Sequence, residues 1–226
     1  MKFFGTERAP KLERGKETRA TEIFLNELFK REQTERAWIR GASSISAFPQ
    51  ILGDPKVKVV MFLPPPHTHK IDFELFARKK QNLYLGRSSY PRRFFHRLAA
   101  ERAIAAFELE KEEVRSAFPD AKFDFSESLL YDRHNEIKMG NWHLDGKKFV
   151  RDYSRFLRMI RIFSGRSTWY AEDTNGSKAV EPPDGAITIH RMGPDGAIHK
   201  RPSIPAGMAR FAIITDIILK EPLAIL

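Results

Sequence analysis

The chain has 226 residues, a formal net charge of +10 and no cysteine. Without cysteine there is no disulfide framework, thiolate zinc site or iron–sulfur cluster, so any metal must rest on His, Asp or Glu. The length and the 42% hydrophobic content suit one domain over residues 1–226, and the basic balance favours acidic partners. No apolar stretch is long enough to cross a membrane, and the early charges of Met1–Arg8 do not read as a secretory leader, so the expected setting is cytoplasmic.

Residues 1–17 are polar and basic with no apolar period, which predicts a loose N-terminal arm. From Thr18 or Thr21 to Arg40, Phe24, Leu25, Leu28, Phe29 and Trp38 recur at helical spacing behind a Thr cap. Lys56–Leu63 alternates and then turns apolar, a strand that Pro64-Pro65-Pro66 ends. Pro91–Phe118 reads as the longest helix, with Phe94, Phe95, Leu98, Ala99, Ala103, Phe107 and Val114 on its apolar side. Beyond Pro119-Asp120 the pattern becomes β: Lys122–Tyr131, Met159–Phe163, Thr168–Ala171, Ala186–Arg191, Ala197–Lys200 and Phe211–Leu219. Asn175-Gly176, Asp184-Gly185 and Asp195-Gly196 supply turns between them. Helices first and closely spaced strands afterwards predict an α+β domain. Residues 18–118 form a mainly helical support, and residues 119–226 form a sandwich or barrel.

Within the β half, His143-Leu144-Asp145 places an imidazole and a carboxylate two residues apart, on one side of an extended strand. A third ligand must come from a distant strand, and His199 precedes the last strong strand, which Arg210 opens. Two imidazoles and one carboxylate match the facial set that holds non-haem Fe(II) with positions left open. Two alternatives stay open. His190 also stands ten residues before an arginine, Arg201, although Arg201 falls in a Lys-Arg-Pro loop; His134-Asn135-Glu136 repeats the two-residue spacing at a polar turn.

On His143, Asp145, His199 and Arg210, the chain resembles the Fe(II)- and 2-oxoglutarate-dependent oxygenases over about residues 120–220. The resemblance implies a double-stranded β-helix (jelly-roll) core in the C-terminal half, buttressed by N-terminal helices. It implies iron on His143, Asp145 and His199, and Arg210 gripping the far carboxylate of the 2-oxoglutarate co-substrate. It also implies oxidative decarboxylation to succinate and CO2, coupled to hydroxylation or demethylation of an unidentified substrate, for which an anion fits the basic charge. The residues up to 118 carry no motif of that family.

Arg155, Arg158 and Arg161 recur every third residue. Arg161 is expected to share in binding the co-substrate from among apolar strand residues, with an edge arginine as the plainer reading. Trp142, Trp169 and Tyr170 flank the motif and wall a pocket or pack as core. His67-Thr-His69 with Glu74 is similar to a cupin metal pattern, the basis of a cupin-like alternative. Arg78-Lys79-Lys80, Arg87, Arg92, Arg93 and Arg97 lie among Tyr84, Tyr90, Phe94 and Phe95. Cations interleaved with aromatics suit nucleic acid, so a basic nucleic-acid-binding or interaction protein without catalysis is the second reading. No nucleotide-binding glycine motif is present.

Overall fold

A computed structural model describes residues 37–64, 110–131, 134–146 and 152–223. Residues 1–36, most of the 91–118 helix, the basic clusters of 78–97 and His67, His69 and Glu74 lie outside the described residues. Those that are described are mostly β-sheet. Helix is confined to α1 (Phe48–Leu52), the 3-10 turn Ile45–Ala47 before it, and residues 110–117, the tail of the helix expected to end at Phe118. Among them, no helix is long and apolar enough to cross a membrane.

The larger sheet contains β1 (Ile39–Gly41), β2 (Val59–Phe62), β3 (Lys122–Tyr131), β4 (Phe156–Ser164), β6 (Ile187–Arg191) and β8 (Ala209–Ile218). Its spatial order is β1-β2-β6-β4-β8-β3, antiparallel throughout except for the β1–β2 pair. Ile39 and Arg40 are therefore strand, where helical spacing predicted helix. Pairing with Val59 and Val60, and two amides that donate to the Trp38 carbonyl, override the local pattern.

A second, smaller layer is built around β5 (Trp169–Ala171) and β7 (Ile198–Lys200), which pair antiparallel. Tyr170 bridges Val180 on one side of this pair, while on the other the chain from Ile137 to His143 runs antiparallel to His199–Ile204. Gly140 N donates to Arg201 O at 2.9 Å between those two bridges.

Period-two alternation sorts the central strands of the larger sheet into two faces. Leu157, Met159 and Phe163 of β4, Ile187 and Ile189 of β6, and Phe211, Ile213 and Ile217 of β8 join one apolar core. Phe48 and Leu52 of α1 and Val114 and Phe118 cover that core. Burying each such side chain contributes roughly 1.5–3 kcal/mol. The opposite face carries Arg158, Thr188, His190, Arg210 and Asp216, all buried. Polar groups in that setting must find partners. They find them at the gap between the two layers.

Candidate metal centre

His143, Asp145 and His199 converge: one ligand atom from each lies within 4.8 Å of the other two. The backbone does the gathering. His143 and His199 are direct antiparallel partners, exchanging two N–H···O bonds of 3.0 Å, so both rings rise on one side with centroids 4.4 Å apart. Asp145 follows two residues later, and its carbonyl accepts from Gly193 N at 2.8 Å. That turn requires glycine. Gly193 has φ +86°, and a Cβ there would come within 2.3 Å of the Tyr153 ring. Asp145 and His199 are buried, whereas His143 stands exposed at the rim.

The ring protons show that this set fits a metal. His143 Nδ1 is 2.9 Å from the Asn141 carbonyl, and His199 Nδ1 is 3.0 Å from the Ala197 carbonyl. A carbonyl only accepts, so both Nδ1 atoms carry hydrogen, and it is Nε2 that holds the lone pair whenever the ring is neutral. His199 Nε2 lies 3.2 Å from Asp145 Oδ2. A lone pair so close to a carboxylate oxygen is repulsive unless a cation, a proton or a metal, stands between them. The spacing is near the roughly 3 Å between adjacent donors on a metal with bonds of about 2.1 Å.

His190 is placed differently. It is fully buried, with Nε2 3.2 Å from Asp145 Oδ2 and Nδ1 3.2 Å from the Tyr170 hydroxyl. The carboxylate requires hydrogen on Nε2, so Nδ1 accepts from Tyr170, whose oxygen also lies 2.7 Å from Thr188 Oγ1. Both nitrogens are thus engaged, and no lone pair faces the cluster. Burial holds His190 down at about 4, against the pull of Asp145, so the ring stays neutral.

Asp145 is braced on both oxygens. Its Oδ1 receives Arg158 Nη1 at 2.6 Å, and Arg158 Nε donates to Asp216 Oδ1 at 2.7 Å. Asp216 is the cross-strand partner of Arg158, so sheet register sets this second pair. Burial would raise the Asp145 carboxyl, but the hydrogen bond from His190, and one from His199 when a proton stands between the two groups, outweigh it and hold the group well below the usual carboxylate range. Burial disfavours the Arg158 charge, but its two carboxylate partners prevail and hold its pKa above the ordinary arginine value.

A pocket of about 390 Å³ opens over the cluster between the two layers. Its apolar lining includes Leu130, Ile160 and Ile214, and its cations are Arg158, Arg201 and Arg210. Arg210 is buried, donating through Nε to Arg166 O at 3.0 Å and through Nη2 to Thr168 Oγ1 at 2.8 Å. Among the described residues no acid pairs with it. Burial, and then the charge of Arg201, push Arg210 down to about 10. A buried cation without a counter-anion is costly, and a carboxylate entering the pocket relieves that cost.

Arg161, expected at the co-substrate, does not line this pocket. It sits on the opposite face of β4, where Nε and Nη2 each donate to Glu110 at 2.9 Å, with Nη1 on the Gly185 and Ile162 carbonyls. One residue of parity separates the two faces, and Arg158 takes the pocket side. His134 and Glu136 are exposed and away from the cluster. Trp142 and Trp169 do not wall the pocket either. Lys200 Nζ lies 4.2 Å from one ring centre and 5.2 Å from the other. Sequence reasoning passed over Asp216 and Thr168. Asp216, an acid inside the run Phe211–Leu219, was the available signal for a buried partner cation.

No family model matches the chain, and no curated protein matches it. Among solved structures, the chain is similar to a Pseudomonas putida prolyl-4-hydroxylase at 15% identity and a TM-score of 0.44, over 79% of this chain and 97% of that one. It is similar to the nickel complex of the non-haem monooxygenase ThoJ at 18% identity and a TM-score of 0.36, over 56% of each chain. A third is EvdO2 from Micromonospora carbonacea var. aurantiaca, complexed with 2-oxoglutarate, at 12% identity and a TM-score of 0.34, over 56% of this chain and 67% of that one. The chain thus spans little more than half the length of ThoJ. With every TM-score here below 0.5, what the site can do follows from its own side chains.

Proposed function

We propose that the chain is an Fe(II)- and 2-oxoglutarate-dependent oxygenase, a hydroxylase or demethylase, with a double-stranded β-helix core formed by its two layers. His143 Nε2, His199 Nε2 and Asp145 would hold the iron. When bound, iron supplies redox chemistry with O2, coupling decarboxylation of 2-oxoglutarate to oxidation of a second substrate.

The protein's own part is positioning. Arg210 offers its planar guanidinium to the far carboxylate of the co-substrate, and Thr168 and the Arg166 carbonyl fix its orientation. Arg158 and His190 hold Asp145 deprotonated and aimed at the cluster. Leu130, Ile160 and Ile214 keep one side of the pocket apolar and exclude water. One observation carries this reading: a two-imidazole, one-carboxylate cluster shares a pocket with a buried arginine that has no acid partner among the described residues.

The test is calorimetric titration of the Mn(II)-loaded protein with 2-oxoglutarate. Saturable binding, weakened about a hundredfold in Arg210→Gln with Mn(II) affinity unchanged, is the expected result. Equal affinities in wild type and Arg210→Gln contradict the assigned role.

A further inference from the structure

The charges of the pocket do not balance, and the excess has a location. Asp145 and Asp216 bear two negative charges against the positive charges of Arg158, Arg201 and Arg210, leaving one positive charge over. A divalent metal and a dianionic co-substrate cancel each other, so the excess persists in the loaded site. Arg158 is spent on Asp145 and Asp216. Arg210 is assigned to the co-substrate. Arg201 remains, a pocket-lining cation with no acidic partner among the described residues.

Arg201 stands two residues after His199 and therefore on the same side of the extended chain, about 7 Å further along. Its Nη2 donates to the Lys138 carbonyl at 2.7 Å, which anchors one end of the guanidinium; among the described residues its other donors meet no partner. The residue facing it across the ladder is Gly140, which has no side chain to cover it. Arg210 rises from the larger sheet and Arg201 from the smaller layer, and the apolar side chains of Leu130, Ile160 and Ile214 line the same pocket.

We infer that Arg201 is the substrate-selecting residue: the pocket takes a small organic anion, with its carboxylate or phosphate on Arg201 and its hydrocarbon part against Leu130, Ile160 and Ile214. This rests on the oxygenase reading for the assignment of Arg210, though not for the existence of an anion subsite at Arg201. Two groups from two layers allow simultaneous occupancy, so the second anion adds to the co-substrate without displacing it.

The probes are butyrate, hexanoate and hexyl phosphate, titrated into the Mn(II)-loaded protein with and without saturating 2-oxoglutarate, and into the metal-free protein. Affinity should rise from butyrate to hexanoate and survive saturating 2-oxoglutarate. It should fall about tenfold in Arg201→Gln and recover in part in Arg201→Lys. The preference between hexanoate and hexyl phosphate identifies the anionic group. Unchanged affinity in Arg201→Gln, or straightforward competition with 2-oxoglutarate, overturns the proposal. So does a site that ignores all three probes but binds a single-stranded oligonucleotide. Probe binding through Arg201 in a protein that binds no 2-oxoglutarate upholds the subsite and overturns the oxygenase reading alone.

Discussion

Arg158 and Asp145 form a buried ion pair of 2.6 Å, and the same guanidinium reaches Asp216 at 2.7 Å. A cation from β4, a central strand of the larger sheet, thus braces a carboxylate that the smaller layer's edge brings to the cluster. Removing it leaves two buried acids facing one another's field. Arg158→Ala should cost about 3–5 kcal/mol of stability and weaken metal affinity about 10–100-fold. Denaturant unfolding and Mn(II) titration measure the two effects separately. A stable variant with wild-type metal affinity would remove Arg158 from the site's support.

The two buried histidines beside Asp145 should separate cleanly. His199→Ala removes a lone pair that faces the cluster, and metal binding should be lost. His190→Gln replaces a donor to Asp145 Oδ2 without removing a lone pair that faces the cluster, and metal affinity should fall by about tenfold only. Zn(II) or Mn(II) titration of both variants reads this difference, and the reverse order would exchange their roles.

Arg161 and Arg158 provide a matched pair on opposite faces of one strand. Glu110→Gln weakens the buried partner of Arg161 on the core side. Its melting temperature should drop, with a loss of about 2–4 kcal/mol, while metal and 2-oxoglutarate affinities stay at the wild-type level. Calorimetric melting followed by ligand titration checks both halves of that statement.

Acid should weaken the metal-free protein in two windows. His190 sits near 4 when folded and at an ordinary 6.5 when unfolded, so the unfolded chain takes the proton first. Its stabilising effect is complete above pH 6.5 and declines as the pH falls toward 4, by about 3 kcal/mol. Asp145 shifts in the same direction, its folded pKa also lying below the unfolded value, but in a more acidic window. Its contribution is present above pH 4 and is lost only at more acidic pH. Unfolding free energy measured from pH 8 to pH 3.5 should show the first decline in wild type and a flatter profile in His190→Gln.

Much of this arrangement was legible in the chain. Apolar runs bounded by Pro and Gly marked β2, β3, β6 and β8 within a few residues, because hydrophobic period and turn chemistry are local properties. His143, Asp145, His199 and Arg210 could be picked out because two-residue spacing and strand order are written in sequence. The partner of each buried charge could not. In Arg158-Met159-Ile160-Arg161 the two arginines have opposite parity, and only the cross-strand register with Asp216 decides which one faces the pocket. The hydrogen-bond directions that leave a lone pair on His199 and none on His190 depend on carbonyls and a hydroxyl reached through tertiary contacts. Ile39-Arg40 became strand for a similar reason, a parallel neighbour 20 residues away.

The most direct measurement is the visible absorption of the protein under anaerobic conditions, with Fe(II) added first and 2-oxoglutarate second. A charge-transfer band of a chelated 2-oxo acid should appear in wild type, be absent in His143→Ala, and require higher 2-oxoglutarate in Arg210→Gln. No iron binding and no band in the wild-type protein would contradict the assignment of His143, Asp145 and His199 as an iron centre.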